Sequence, residues 1–315
     1  MDKFVGIWPA LVTPLTTEGR VDVRVAERLI EDLLAAGVAG LFGCGGTGEG
    51  IMLSPQVRRQ MAEVVIGTVG GDVPVMIHVG AIDRETTLEL ANHATSAGAD
   101  AVSAVPPFYY TYRFGAILEH YRAIASASNV PLYVYYIPGC TNTRLTADQL
   151  LEVCALDGVA GLKYSSGDLY LLSELLAMRD PDQVNVLSGP DELLLPCLSL
   201  GVEGAIGAYY NVLPRLYIDI MQSFVRGKLA TARRLQFAAN DIIAATRPYG
   251  TIPAIKAILK MRGYEVGHCV PPMPAIEGDE ARRLRRDLEK AGLHGLLRRN
   301  AIYGPPGDPM RGKLA

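Results

Sequence analysis

Eight short apolar runs alternate with longer stretches of helical period, and this alternation constrains the chain more than any other feature. The runs cover residues 6–12, 39–44, 74–79, 100–105, 131–137, 159–163, 184–188 and 204–208. Apolar runs separated by helices read as a parallel sheet buried on both faces, because each helix carries the chain back to the start of the next strand. Eight units at spacings of about 20 to 35 residues fit a closed barrel better than an open doubly wound sheet. A GxGxxG turn after the first run is also missing. The expected fold is α/β, a (β/α)8 TIM barrel with a C-terminal helical extension.

Start and stop signals place the helices. Ser54 followed by Pro55 supplies an N-cap and an N1 proline, with Val57, Met61 and Val64 at helical spacing. Thr146 and Gln149 form a potential capping box, and Gly37 and Gly98 are stops. Strand-like runs cease after residue 225, where 228–246, 252–262 and 278–292 read as helices. The expected organisation is a catalytic barrel over 1–225, a helical bundle over 226–297 and a solvated tail over 298–315.

A net charge of -3 gives no electrostatic reason to expect nucleic acid or an anionic membrane as partner. Apolar stretches are broken by Gly, Pro or charge before about 18 residues, and MDKFVGIW lacks a signal-peptide pattern, so a cytoplasmic protein is expected. Cys44, Cys140, Cys154, Cys197 and Cys269 lie far apart without a CxxC pair and are expected to be reduced and packed as small apolar residues. Of the five histidines only His78 falls in a strand, and no pair has metal-ligand spacing, so no metal is implied.

Barrel chemistry sits at the C-terminal ends of the strands. Lys163 closes the sixth run and is the only one of seven lysines directly after such a run. Burial of an unpaired ammonium is costly, so the lysine either pairs with an acid such as Glu49 or Asp191, or loses its proton and becomes a nucleophilic amine. The fifth run ends in Tyr135 and Tyr136, one of which must face inward; an inward phenol either relays protons or simply fills the interior. GCGGTGEG at 43–50 offers backbone N–H groups and the Thr47 hydroxyl to an anion, although glycine-rich turns are common. Asp191 and Glu192 open the segment after the seventh run, where they either complement a helix dipole or accept hydrogen bonds from a polyhydroxylated substrate.

Seven motifs occur in order: GGTGE at 45–49, HVGA at 78–81, DAVSAVPPFYY at 100–110, YVYYIP at 133–138, GLKYSSGDLY at 161–170, GPDE at 189–192 and YN at 210–211. Together they resemble the class I aldolase family that contains N-acetylneuraminate lyase and dihydrodipicolinate synthase, over about residues 4 to 295. The resemblance implies a homotetramer, a Schiff base between Lys163 and the ketone carbon of a 2-oxo acid such as pyruvate, and a sugar aldehyde as second partner, without a cofactor. It implies that Tyr135 relays protons, that Gly46 and Thr47 belong to a carboxylate-binding loop, and that Tyr109 is inserted from a neighbouring subunit. Ser165, Gly189, Asp191 and Glu192 match positions that contact the sugar chain, and Ile206 is counted with them as substrate-binding.

DAVSAVPPFYY and SSGDLY are more similar to the lyase branch. An arginine that the synthase pattern places two residues after the proline of YxxP is here Cys140, so a clamp for a second carboxylate is missing. Three departures are Gly46 for Ser or Thr, Ala208 for the lyase's serine and Tyr136 for Asn. The expected activity is cleavage of N-acetylneuraminate or a related 2-keto-3-deoxy sugar acid; a sugar-acid dehydratase, a synthase-like condensation and a catalytically silent binding protein are the alternatives.

Overall fold

The computed structural model describes residues 4–295. The expected tail at 298–315, residues 296–297 of the expected bundle and residues 1–3 lie outside the described residues. Eight strands follow in chain order: β1 (Gly6–Pro9), β2 (Leu41–Gly43), β3 (Val75–His78), β4 (Ala101–Ala104), β5 (Leu132–Tyr136), β6 (Val159–Tyr164), β7 (Asn185–Ser188) and β8 (Gly204–Gly207). All pairings between them are parallel, in the order β1-β8-β7-β6-β5-β4-β3-β2. A bridge between Ala10 and Phe42 joins the two ends, giving the (β/α)8 barrel.

Most strands are shorter than their apolar runs, and the first shows why. β1 ends at Pro9, yet residues 10–12 stay buried, and Ala10 still bonds to the end of β8 before the chain turns to other partners. Their amides find partners in sequence-distant places: Ala10 N donates to Gly207 O at 2.8 Å, Leu11 N to Phe42 O at 2.9 Å and Val12 N to Asn211 Oδ1 at 3.1 Å. An apolar run records burial, whereas a strand also needs a ladder partner.

Strand alternation divides the core into two layers. Trp8, Phe42, Met76, Ala101, Tyr133, Tyr135, Leu187 and Ile206 fill the barrel interior, while Ile7, Leu41, Val75, Val102, Val134, Tyr136 and Leu162 pack outward against the helices. The expected caps form. Ser54 accepts a hydrogen bond from Val57 N at 3.3 Å, and the Thr146–Gln149 capping box is complete in both directions.

Three further helices, Leu229–Thr246, Thr251–Met261 and Gly278–Lys290, follow the barrel. The first reaches back to the site rim: Gln236 Nε2 donates to Asp191 O at 3.1 Å, and Gln236 Oε1 accepts from Leu195 N at 2.9 Å. No helix among the described residues is long and apolar enough to cross a membrane.

Candidate active site

Strand register sets Lys163 on β6 directly beside Tyr135 on β5, both facing into the barrel near its C-terminal end. Lys163 is 3% exposed, with Nζ 4.0 Å from the Phe42 ring centroid and 4.1 Å from that of Tyr135. Aromatic faces stabilise an ammonium weakly compared with the hydration it gives up. Burial lowers the Lys163 pKa to about 7, opposed only by the charge of Asp191. A large fraction of the side chain is therefore a free amine at neutral pH, with a lone pair available for carbonyl addition.

The acids that the sequence offers as partners for this lysine, Glu49 and Asp191, are engaged elsewhere. Glu49 Oε1 stands 2.6 Å from Lys256 Nζ. Asp191 accepts from Ala208 N at 3.1 Å and Tyr209 N at 3.3 Å, so its carboxylate caps the turn after β8. Burial nevertheless pushes the Asp191 pKa up to about 7, against the pull of those two amides, and nearby Glu192 adds to the rise. Lys163 forms no ion pair within 4.0 Å among the described residues.

Tyr135 is the inward tyrosine of its pair, while Tyr136 faces the helices, where its hydroxyl accepts from Leu145 N at 3.4 Å. Burial raises the Tyr135 pKa, partly offset by the nearby Ser165 hydroxyl, so the phenol holds its proton at neutral pH. A Cβ at Gly46 would stand 3.9 Å from the Tyr135 hydroxyl. Gly46 thus brings the glycine-rich loop over the phenol, and the absent serine or threonine side chain leaves that hydroxyl without a loop partner. Thr47 is half-buried in the same loop, held by Thr13 Oγ1 donating to Gly48 O at 2.7 Å.

The β7 end lies against Ser165. A Cβ at Gly189 would meet Ser165 Oγ at 1.8 Å, so only glycine permits this approach. Ile206 is buried inside the barrel, and Glu192 is exposed. The geometry therefore gathers Lys163, Tyr135, Gly46, Ser165 and Gly189, with Asp191 beneath the β8 turn. Tyr109 does not join them. It is 78% exposed, has φ 76°, and meets Tyr110 edge-on at 5.0 Å.

Two residues were given no role by the sequence. His78 lies inside the barrel, its ring edge-on to Tyr135 at 5.7 Å, and neither ring nitrogen has a hydrogen-bond partner among the described residues. Burial, reinforced by the Arg58 and Lys163 charges, lowers its pKa well below the usual value and keeps the imidazole neutral. Its parity with Met76 on β3 was the signal available. The other is Lys256, whose partner Glu49 lies far away in sequence. Cys140 departs from the expected packing: it is exposed, whereas the other four cysteines are buried. Among the described residues no three His, Cys, Asp or Glu side chains gather as a metal site would require.

A parallel eight-stranded barrel with a buried lysine on β6 beside a tyrosine on β5 has the parts that a lysine Schiff base requires. The model of the dihydrodipicolinate synthetase family matches residues 3–291. An N-acetylneuraminate lyase from Citrobacter koseri is 37% identical over 274 residues, 86% of this chain and 92% of the relative. A 4-hydroxy-tetrahydrodipicolinate synthase from Methanothrix thermoacetophila is 30% identical over 300 residues, 94% of this chain and 100% of the relative. Among solved structures, CdNal from Clostridium difficile in complex with mannosamine superposes with a TM-score of 0.87 at 30% identity, covering 92% of this chain and 100% of that one. The chain belongs to the dihydrodipicolinate synthetase family and is a lyase of the Schiff-base type.

Proposed function

We propose that the chain cleaves N-acetylneuraminate or a related 2-keto-3-deoxy sugar acid to pyruvate and an aldehyde, with Lys163 as the Schiff-base lysine. The observation that carries this reading is the Lys163 amine, without an ion-pair partner among the described residues and with its pKa near 7, beside Tyr135. Nζ adds to the ketone carbon, and the resulting carbinolamine loses water to leave an iminium. Tyr135 supplies the proton that the departing oxygen needs. The iminium's positive charge then favours the phenolate, which takes the proton of the 4-hydroxyl. The C3–C4 bond breaks as the aldehyde C=O forms, its electron pair moving into the iminium to give an enamine. Protonation at C3 and addition of water release pyruvate and restore the amine.

Amides of the Gly46–Thr47 turn and the Thr47 hydroxyl hold the carboxylate, and Ser165, Gly189, Asp191, Glu192 and Ile206 border the sugar chain. The exposed Tyr109 supports a homotetramer in which each subunit lends this ring to its neighbour, across the barrel proposed for 1–225 with its helical bundle at 226–297. The odd cysteine number without CxxC spacing supports a cytoplasmic setting.

Incubation with a panel of 2-keto-3-deoxy acids, N-acetylneuraminate included, tests the proposal. Pyruvate plus an aldehyde is expected. Activity on every acid except N-acetylneuraminate removes that substrate and leaves the mechanism, and no borohydride-trapped pyruvate adduct on Lys163 returns the chain to the silent binding proteins. Gly46 favours a second reading, since the hydroxyl it lacks would have met the Tyr135 phenol. A dehydratase using the same imine would yield a dehydrated keto acid and no pyruvate.

A further inference from the structure

The C-terminal helices supply a cation to the loop that the proposed function uses for the substrate carboxylate. Lys256, on the helix Thr251–Met261, reaches the loop after β2 and places Nζ 2.6 Å from Glu49 Oε1. Both side chains are withdrawn from water, at 4% and 0% exposure. Nζ also donates to His268 O at 2.9 Å, and Glu49 Oε2 accepts from Val270 N, so the pair joins the loop to two separate stretches of the C-terminal region.

Glu49 is not a neutral anchor point. Its backbone is left-handed, with φ 59°, a conformation that a non-glycine residue keeps only when its surroundings impose it. Its amide donates to Gly46 O at 3.0 Å, and the next amide, of Gly50, donates to Gly45 O at 3.0 Å. The residue that Lys256 grips is therefore one hydrogen bond from Gly46, whose amide the proposed function assigns to the carboxylate. A buried carboxylate deprived of its cation must take up a proton or move to water, and either change pulls on that turn.

We infer that Lys256 is a positioning residue for 2-oxo acid binding: its ion pair with Glu49 holds the Gly46–Thr47 turn in the shape that receives the substrate carboxylate. This inference rests on the assignment of that turn as the carboxylate site. Among the described residues Lys256 pairs with Glu49 and donates to His268 O, and its assigned role runs through Glu49.

Borohydride trapping on Lys163, read by mass spectrometry in the full-length protein, separates this role from bulk stabilisation. Pyruvate tests the carboxylate site, and acetone, a ketone without a carboxylate, tests the lysine alone. Lys256→Met is expected to raise the pyruvate concentration for half-maximal trapping by about tenfold to a hundredfold, the scale of a sub-ångström to ångström displacement in a site. Acetone trapping stays at the parent rate, and Lys256→Arg recovers part of the loss. Should Lys256→Met fail to fold, Glu49→Met/Lys256→Met removes both charges together, which buried cores tolerate better than one, and the same rise is expected. A folded variant with the parent's pyruvate requirement, or one that loses acetone trapping in equal measure, overturns the inference. A parent protein that forms no pyruvate adduct on Lys163 overturns the functional reading and this inference with it.

Discussion

At the scale of single residues, Lys163 is held in an environment that opposes its ordinary charge state. Its pKa in the fold is about 7 against 10.5 for the free side chain. Between those values the unfolded chain binds the extra proton, so this group's contribution makes stability rise with pH from about 7 to 10.5. Below pH 7 the fold carries the full cost of the buried ammonium. Lys163→Met is therefore expected to abolish adduct formation and to stabilise the protein by a few kcal/mol at pH 6, with a gain that shrinks toward pH 10. Thermal unfolding of both proteins at the two pH values measures this; an equal or larger gain at pH 10 contradicts the account. Asp191 runs in the opposite sense. Its pKa is raised to about 7 from 3.8, so its contribution to stability falls as pH rises across that interval.

At the scale of elements, sequence and structure part company where pairing takes over from burial. The order and number of strands were legible from apolar runs, as were the Ser54 cap and the Thr146–Gln149 box, because each is a local pattern with a local cause. Lys163 was legible from a charge ending an apolar strand, whereas alternation said only that one of Tyr135 and Tyr136 faces inward, and it was the family resemblance that singled out Tyr135. The partner of Glu49 was not, since Lys256 comes from a helix with no sequence relation to the loop. Nor was the use of Asp191 as a cap for the β8 turn, which depends on the close approach of Gly207. A Cβ there would fall 2.1 Å from Asp191 Oδ1 and 2.5 Å from the Tyr210 ring. Gly207→Ala is expected to displace the carboxylate from the amides of Ala208 and Tyr209 and to cost about 2–3 kcal/mol. Denaturant unfolding decides it, and a variant as stable as the parent would show that the turn relaxes freely.

At the scale of the whole molecule, the helices after the barrel brace the rim of the candidate site. Gln236 holds the backbone at Asp191, and Lys256 holds the side chain of Glu49, so two rim segments are braced from the same C-terminal region. The barrel itself is not uniform around its circumference. β5 and β6 share five registered pairs, whereas β1 and β2 meet through the Ala10–Phe42 bridge, with Ala39 N donating to Ile7 O at 2.9 Å and Leu11 N to Phe42 O at 2.9 Å. Local opening follows the thinnest set of bonds. Amide hydrogen exchange is expected to show Leu11 and Ala39 opening at lower free energy than Val134 and Leu162 of β5 and β6, and equal protection would count against this. The cylinder then behaves as a rolled sheet fastened by one stitch. The glycine-rich turn hangs directly beyond that stitch, so the loosest line of the wall runs up to the place where a carboxylate would bind, and an occupied site would fasten it.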